Sequence, residues 1–191
     1  MDIGPLIDGD LELVTPDECW ADALLAAVRH PLTQRHMPAV AETTRPQIEA
    51  FIAHTVGGFD AGEWAPGILP AYHFWMRHRT ARKGEPEIVG GLNLRIAGGF
   101  NIERVIGHMG YHVYPFARGN HYAERSCRLL LPLARWHGIN PLWITCNPDN
   151  HASRRTCERL GGALSEIVAV PHDHPLFAKG ERRKCLYRFE L

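Results

Sequence analysis

The segment between residues 105 and 145 constrains the fold more than any other part of the chain. A strand pattern ends at Val113, a helix pattern covers residues 122–137, and a short strand pattern follows at residues 142–145. Two strands that are joined through a helix lie parallel in one sheet, because a parallel connection needs a long crossover. The segment therefore predicts one parallel strand pair with a helix packed against it.

Two helices are predicted near the N-terminus. The first follows a strand at residues 11–14, begins at a capping box formed by residues 15–18, and runs to about His30. The second begins at a capping box of Thr44 and Gln47, and the glycines at 57–58 are expected to end it. Both helices carry apolar residues at helical spacing, so each is expected to bury one face.

The strands outside the crossover are predicted to pair antiparallel. Gly90 and Gly91 lie inside one of them and indicate a bulge or a close backbone approach. The whole pattern predicts a mixed α+β fold, with a mostly antiparallel sheet, one parallel pair and about four helices in a single domain of 191 residues. The remaining predicted elements are strands over 72–77, 88–96 and 105–113, a helix over 150–160, and strands over 163–170 and 184–190.

Composition excludes several classes of function. Lys+Arg and Asp+Glu number 21 each, so no net charge attracts nucleic acid or an anionic membrane. No apolar stretch is long enough to span a membrane, and the first ten residues lack the pattern of a signal peptide, so we expect a cytoplasmic protein. The five cysteines form no C-x-x-C pair and are expected to be reduced thiols. Residues 172–174 (His-Asp-His) are either a metal site or a solvated loop, and we predict no metal.

The turn after Val113 has the features of an anion site. It combines Arg118 and Gly119 with the start of a helix near Tyr122. The first N–H groups of a helix lack intrahelical partners and carry a partial positive charge, so a phosphate placed there gains hydrogen bonds and favourable electrostatics. A loop that binds no ligand and contains one glycine would give the same pattern, so the turn alone does not identify a ligand.

Two segments resemble the GNAT superfamily of N-acetyltransferases. Residues 107–123 are similar to its acetyl-CoA signature, in which a strand is followed by a turn of the form Q/R-x-x-G-x-G/A; Arg118 fills the first place and Ala123 the last. Residues 147–162 resemble its N-x-x-S-x-x-x-x-E-x-x-G helix, with Asn150 and Ser153 at the first two motif positions. The resemblance covers residues 88–162 and fades elsewhere.

The resemblance implies a site for acetyl-CoA in a gap between splayed parallel strands. The pantetheine arm would lie along the last strand residues, the pyrophosphate would accept hydrogen bonds from the turn, and the next helix would contact the thioester end. Plain helix capping is the alternative for that helix start. The cofactor-binding residues implied are Tyr111, His112, Val113, Arg118, Gly119, Asn120, His121, Tyr122, Ala123, Asn150 and Ser153.

The chain departs from the family pattern at three positions. His121 occupies the place of a glycine, where its imidazole either contacts phosphate or points into solvent. Cys157 occupies the place of the tyrosine that acts as general acid in many members, and is either a substitute acid or a packed helix residue. Gly107 takes the approximate place of a strand glutamate that acts as base in some relatives, and Tyr111 shares its strand parity. The catalytic candidates are therefore Tyr111, Cys157 and Asn147, while His108 and His112 are either bases or half-buried strand histidines.

The resemblance implies an acetyl-CoA-dependent N-acetyltransferase that acts on a primary amine of a small molecule or peptide. A non-catalytic CoA-binding sensor is the alternative, because two customary proton-transfer residues are replaced. The acceptor pocket is expected between the two N-terminal helices and residues 62–70, with Trp64, Tyr72 and Trp75 as candidate lining residues. The sequence leaves the acceptor and the oligomeric state open, with a homodimer as one candidate.

Overall fold

The computed structural model describes residues 4–62 and 69–191. Besides α-helices and strands, these residues contain 3-10 turns at Glu18–Trp20 and Pro115–Ala117 and a π-helix at Ile102–Ile106. The strands and longer helices are, in chain order, β1 (Leu6–Asp8), β2 (Leu11–Val14), α1 (Ala21–Arg29), α2 (Pro31–His36), α3 (Pro38–Ala41), α4 (Arg45–Ala53), β3 (Phe59–Asp60), β4 (Ala71–His78), β5 (Ile88–Arg95), β6 (Met109–Val113), α5 (Tyr122–Trp136), β7 (Leu142–Cys146), α6 (His151–Arg159), β8 (Ala163–Ala169), α7 (Pro175–Ala178) and β9 (Arg183–Phe189).

One nine-stranded sheet contains all of the described strands. Its order is β1-β2-β4-β5-β6-β7-β9-β8, and β3 pairs with the free half of β4. Within the described chain, β6 and β7 pair in parallel and every other neighbouring pair is antiparallel. This confirms the predicted fold class and the parallel pair that the strand–helix–strand pattern implied.

Helices cover both faces of the sheet. On one face, α5 and α6 pack on alternate residues of the central strands, including Phe74, Leu92 and Met109. On the other face, which we call the α1/α4 face, Leu24 and Ile48 belong to a second buried cluster. That cluster also holds Trp75 and Tyr114 from the sheet. Successive strand residues point to opposite faces of the sheet, so alternate residues of each central strand belong to different cores.

The N-terminal helices differ from the sequence prediction in their ends. Thr44 and Gln47 form the predicted capping box of α4, but Asp17, not Thr15, is the first cap, and it accepts from Cys19 N at 2.9 Å. Helix α4 ends at Ala53, before the glycines that were expected to end it. The short helices α2 and α3, each started by a proline at its first position, were not predicted.

The strand predicted over residues 105–113 is wrong in its first half. Residues up to Ile106 form the π-helix, and Gly107 turns the chain with a positive φ of 73° before β6 begins at Met109. A Cβ at Gly107 would lie 3.0 Å from Trp143 O and Thr145 N, so the backbone is pressed against β7. The strand parity that linked Gly107 to Tyr111 therefore does not apply.

Gly90 and Gly91 mark a close approach of β5 to β6. A Cβ at Gly90 would lie 2.3 Å from His112 O, a separation that real Cβ atoms do not show. A Cβ at Gly91 would lie 3.0 Å from Cε1 of His112, so the imidazole rests in the space that this glycine leaves. The predicted close backbone approach is present, and it fixes the position of the His112 ring.

Candidate active site

A gap opens between β6 and β7 beyond their first contact. The parallel pairing has a single register pair, Met109 opposite Ile144, and the preceding His108 N donates to Trp143 O at 2.7 Å. On its other side β6 stays paired with β5 up to Val113. By alternation, the amides of Tyr111 and Val113 point toward β7 rather than β5. The gap thus presents strand-edge backbone groups with room for an extended ligand.

The turn between β6 and α5 presents backbone N–H groups near the end of that gap. The first intrahelical bond of α5 runs from Arg125 N to His121 O, so the N–H groups of residues 122–124 precede the hydrogen-bonded ladder. Gly119 has a φ of 94° and His121 a φ of 57°. Among the described residues, His121 is the single non-glycine residue with a positive φ. The left-handed backbone explains why the family pattern has glycine there.

The imidazole of His121 points toward α6. Its Nδ1 lies 2.8 Å from Nη1 of Arg159 and 3.6 Å from Glu124. A guanidinium only donates hydrogen bonds, so Nδ1 is the acceptor in the contact with Arg159. The side chain, 52% exposed, therefore holds Arg159 beside the start of α5 instead of pointing freely into solvent.

Tyr111 reaches across the gap to α6. Its hydroxyl lies 2.8 Å from Oγ of Ser153 and 3.9 Å from Sγ of Cys157. Burial raises the pKa of Tyr111 well above its usual value, so the hydroxyl keeps its proton at neutral pH. Burial likewise raises the pKa of Cys157 to about 12, and that thiol is completely buried.

The remaining predicted residues of α6 and β7 make structural contacts. Asn150 caps α6, because its Oδ1 accepts from Ser153 N at 3.1 Å. Asn147 Oδ1 accepts from Lys184 Nζ at 2.9 Å, and Lys184 also pairs with Glu181. The amide oxygen of Asn147 is thus already engaged with a cation.

Side chains of the predicted phosphate turn are mostly tied to protein groups. Arg118 Nε donates to Val113 O at 3.3 Å, and Asn120 Nδ2 donates to Ala117 O at 3.0 Å. The hydroxyl of Tyr122 donates to Asp10 at 3.3 Å, away from the turn. What the turn offers a ligand is therefore its backbone N–H groups and the guanidinium of Arg118, which forms no salt bridge within residues 4–62 and 69–191.

A cavity of about 470 Å³ lies on the α1/α4 face of the sheet, beside Tyr111. Its volume is typical of small-molecule sites. Trp75, a candidate lining residue of the acceptor pocket, lines this cavity, whereas Tyr72 packs against Phe59 and His137, and Trp64 lies outside the described residues. The lining comes from helices α1, α3 and α4, from the segment before α4, and from strands β4, β5 and β6 with the residue after β6. The lining residues are Leu24, Val28, Val40, Thr43, Phe51, His73, Phe74, Trp75, Gly90, Gly91, Leu92, Asn93, Arg95, Gly110, Tyr111, His112 and Tyr114.

Two imidazoles in this cavity are neutral at physiological pH. Burial lowers the pKa of His112, and burial also lowers that of His73 although Asp60 opposes the effect. His108 has a different role: it is buried and its Nδ1 accepts from Trp143 N at 2.9 Å, which braces the first contact of β6 with β7. Sequence reasoning did not single out His73, although its register position opposite Asn93 shares the face of His112.

Comparison with solved structures defines the class of fold. The chain aligns with the microcin C7 self-immunity acetyltransferase MccE in complex with acetyl-CoA and AMP (15% identity, 96% of this chain and 94% of that one, TM-score 0.66). It aligns similarly with a putative ribosomal-protein-serine acetyltransferase from Vibrio cholerae (18%, 98% of both chains, 0.64). A third is the ribosomal L7/L12 alpha-N-protein acetyltransferase RimL in complex with coenzyme A (16%, 98% of both chains, 0.67).

The family follows from the sequence match. Residues 10–163 match the model of the acetyltransferase (GNAT) domain, and the chain belongs to this family of acetyltransferases. No curated protein matches the chain significantly. No helix in the described ranges is both long and apolar enough to cross a membrane. In the same ranges, no three His, Cys, Asp or Glu side chains are grouped so that they could hold a metal ion.

Proposed function

We propose that this protein is an acetyl-CoA-dependent N-acetyltransferase that acts on a primary amine of a small molecule or peptide. The observation that carries the proposal is the position of the β6–β7 gap, which lies against the cavity on the α1/α4 face at Tyr111. A thioester in the gap and an amine in the cavity would then meet across one strand. The acetyl-CoA and CoA held by the neighbouring acetyltransferase structures support the same assignment for the gap.

The gap suits an extended pantetheine arm. The amides of Tyr111 and Val113, which point toward β7, would pair with its amide groups as a further strand does. The pyrophosphate would accept from the N–H groups of residues 119–124, where the α5 dipole favours negative charge. Arg118 would add a positive charge from the same turn, while Arg159 stays held by His121.

Direct attack requires a neutral amine on the acceptor. His112 lines the cavity and is neutral, so it can take the proton of an incoming ammonium ion, directly or through water. Placing the amine and the thioester in fixed contact removes most of the entropic cost of a bimolecular step. The backbone N–H groups at the edge of β6 would stabilise the oxyanion that forms.

Departure of CoA needs a proton for the sulfur. Tyr111 keeps its phenolic proton and lies beside Cys157, the position at which many family members carry a tyrosine acid. We propose that the strand residue Tyr111 supplies the acid that the helix position lacks, and that Ser153 orients its hydroxyl. Cys157 then serves as a packed residue of α6.

The test is amine-dependent release of CoA thiol. Purified protein saturated with acetyl-CoA is offered polyamines, amino acids, aminoglycosides and peptides with free N-termini, and free thiol is followed with time. The proposal expects at least one class to accelerate release well above the amine-free rate. Saturable acetyl-CoA binding without release by any amine would instead favour a non-catalytic acyl-CoA sensor.

A further inference from the structure

The guanidinium of Arg95 lines the acceptor cavity without an acidic partner. Its Nη1 donates to the backbone carbonyls of Gly107 at 3.0 Å and of Ile106 at 3.4 Å. Across the described residues it forms no salt bridge, and none of the described lining residues is Asp or Glu. Arg95 is therefore the one permanent charge among those lining residues, and it is satisfied only by neutral groups.

Two other half-buried arginines, Arg77 and Arg125, are paired with carboxylates, whereas the half-buried Arg154 donates to the Tyr187 hydroxyl and the Pro148 carbonyl. Arg77 donates to Glu12 and Glu87, each at 3.0 Å, and Arg125 donates to Asp8 and Asp10, each at 2.7 Å. Removing a cation from water is costly unless an anion or several hydrogen bonds compensate for the lost hydration. For Arg95 the loss of hydration is large enough to lower its pKa. A bound anion would compensate for that loss.

The position of this charge relates it to the transfer site. Arg95 lies on the α1/α4 face, two residues from Asn93 along β5. A Cβ on the facing Gly110 would lie 3.1 Å from Nη2 of Arg95, so the guanidinium occupies space that a side chain there would fill. Gly110 immediately precedes Tyr111, where the gap begins. An anion on Arg95 would therefore lie within a small molecule's length of the reacting carbonyl.

We propose, on the basis of the proposed function, that the acceptor is a primary amine that also carries a carboxylate, which Arg95 binds. A guanidinium fork matches the two oxygens of a carboxylate, which gives orientation as well as charge compensation. The aromatic lining from Trp75 and Phe51 accommodates the apolar part of the acceptor. A free amino acid and the first residues of a peptide both present such a carboxylate, and the matched acceptors below distinguish these two sources.

Matched acceptors test the proposal. Free amino acids are compared with their carboxamides, and peptides beginning with Asp or Glu are compared with peptides beginning with Asn or Gln. The wild-type protein is expected to favour the carboxylate member of one series at least tenfold in kcat/KM, and the preferred series identifies the source. Equal turnover of acids and amides in both series would overturn the carboxylate assignment while leaving acetyl transfer intact.

Variants connect the preference to Arg95. Arg95→Gln is expected to remove most of the discrimination, Arg95→Lys to retain part of it, and Arg82→Gln, on the exposed turn between β4 and β5, to behave as wild type. Acetyl-CoA affinity and circular dichroism show that each variant is folded. Full discrimination in folded Arg95→Gln would contradict the role of Arg95. If Arg95→Gln does not fold, the comparison of wild type with Arg95→Lys takes its place. An unchanged preference for the acid over the amide in Arg95→Lys would contradict a fit of the guanidinium fork to the carboxylate.

Turnover is not required for the binding part of the test. With CoA present, calorimetric titration of wild-type protein with the acid and the amide of each pair measures the carboxylate preference directly. Tighter binding of the acid without thiol release would support the anion site and contradict acetyl transfer. Equal binding of both members would contradict the anion site, whichever result the turnover assay gives.

Discussion

The hydroxyl of Tyr111 lies 2.8 Å from Oγ of Ser153, and this contact joins β6 to α6 across the gap in the sheet. The same hydroxyl lies 3.9 Å from the buried thiol of Cys157. The chain thus brings a phenol from a strand to the place where its family usually presents one from a helix. This arrangement determines what the variants below should do.

Tyr111→Phe removes the hydroxyl and keeps the ring. Because the proposed acid is lost and packing is conserved, kcat is expected to fall roughly 100-fold, while acetyl-CoA affinity stays within about twofold. Steady-state kinetics and isothermal titration measure the two effects separately. The matched control is Tyr72→Phe, which removes a hydroxyl from a residue that does not line the cavity; a kcat loss of equal size there would argue against an acid role for Tyr111.

Cys157→Ala tests the assignment of this thiol as packing. The thiol is buried and has a raised pKa, so it should neither donate a proton readily nor react with alkylating reagents at pH 8. We expect activity within about threefold of wild type and a loss of roughly 1 kcal/mol in the free energy of unfolding. A fall in kcat comparable to that of Tyr111→Phe would show that the thiol takes part in proton transfer. Cys19→Ala, at an exposed position, is the control.

His121→Gly and His121→Ala separate backbone strain from side-chain contact. Both lose the contact with Arg159, but only glycine relieves the left-handed backbone. The glycine variant is expected to be about 1 kcal/mol more stable than the alanine variant, as measured by urea denaturation. Acetyl-CoA affinity of His121→Gly should stay within threefold of wild type. A loss of tenfold or more would show that the imidazole, or the arginine it positions, contributes to phosphate binding.

Gly90→Ala tests the close packing of β5 against β6. The new Cβ would overlap His112 O, so β6 must move and the cost is expected to be 2 kcal/mol or more, by the usual scale of overpacking. Gly98→Ala is the control, because a Cβ there meets nothing within 4 Å and its φ is not positive. Similar unfolding free energies for the two variants would contradict the strand spacing.

Stability is expected to fall as the pH drops below about 6.5. Burial lowers the folded-state pKa of His73, His108 and His137 below the ordinary value of 6.5, so the unfolded chain binds more protons in that window. The contribution of these neutral histidines to the free energy of unfolding is fully present above pH 6.5. As the pH falls, each histidine loses up to about 1.4 kcal/mol of this contribution per pH unit. Urea denaturation at pH 7.5, 6.5 and 5.5 measures the slope. A flat profile would contradict burial of neutral imidazoles.

The carboxylate of Asp10 affects stability in a lower pH range than the histidines. For Asp10 burial alone would raise the pKa, but hydrogen bonding to Arg125 and its charge prevail and lower it. Its contribution to stability is therefore present above the ordinary pKa of 3.8 and is lost below it. The histidine window near pH 6 can thus be measured without interference from this ion pair.

The sequence predicts the fold well where the signals are local. The helix and strand patterns of the crossover, the capping box of Thr44 and the glycine pair of β5 are each recognised from neighbouring residues, and each is present in the structure. The prediction fails at residues 105–108, because apolar alternation does not distinguish a π-helix followed by a turn from the start of a strand. Short helices started by proline, such as α2, carry too few residues to show a period.

The cavity proposed for the acceptor could be predicted only in outline. Which face His112 shares with His73 and Arg95 depends on the register of three strands that are distant in sequence. A single-residue shift of one strand would place its side chains on the opposite face. The contact of His121 with Arg159 likewise joins two helices whose relative position no local pattern encodes.

The most direct test of the central claim follows the acetyl group in a single turnover. Protein loaded with acetyl-labelled acetyl-CoA is mixed with an excess of an accepted amine, and the label is traced by mass spectrometry. Direct attack predicts label on the acceptor nitrogen, one CoA released per acetyl transferred, and none attached to the protein. Label that stays on CoA, or that accumulates on a side chain, would contradict the account.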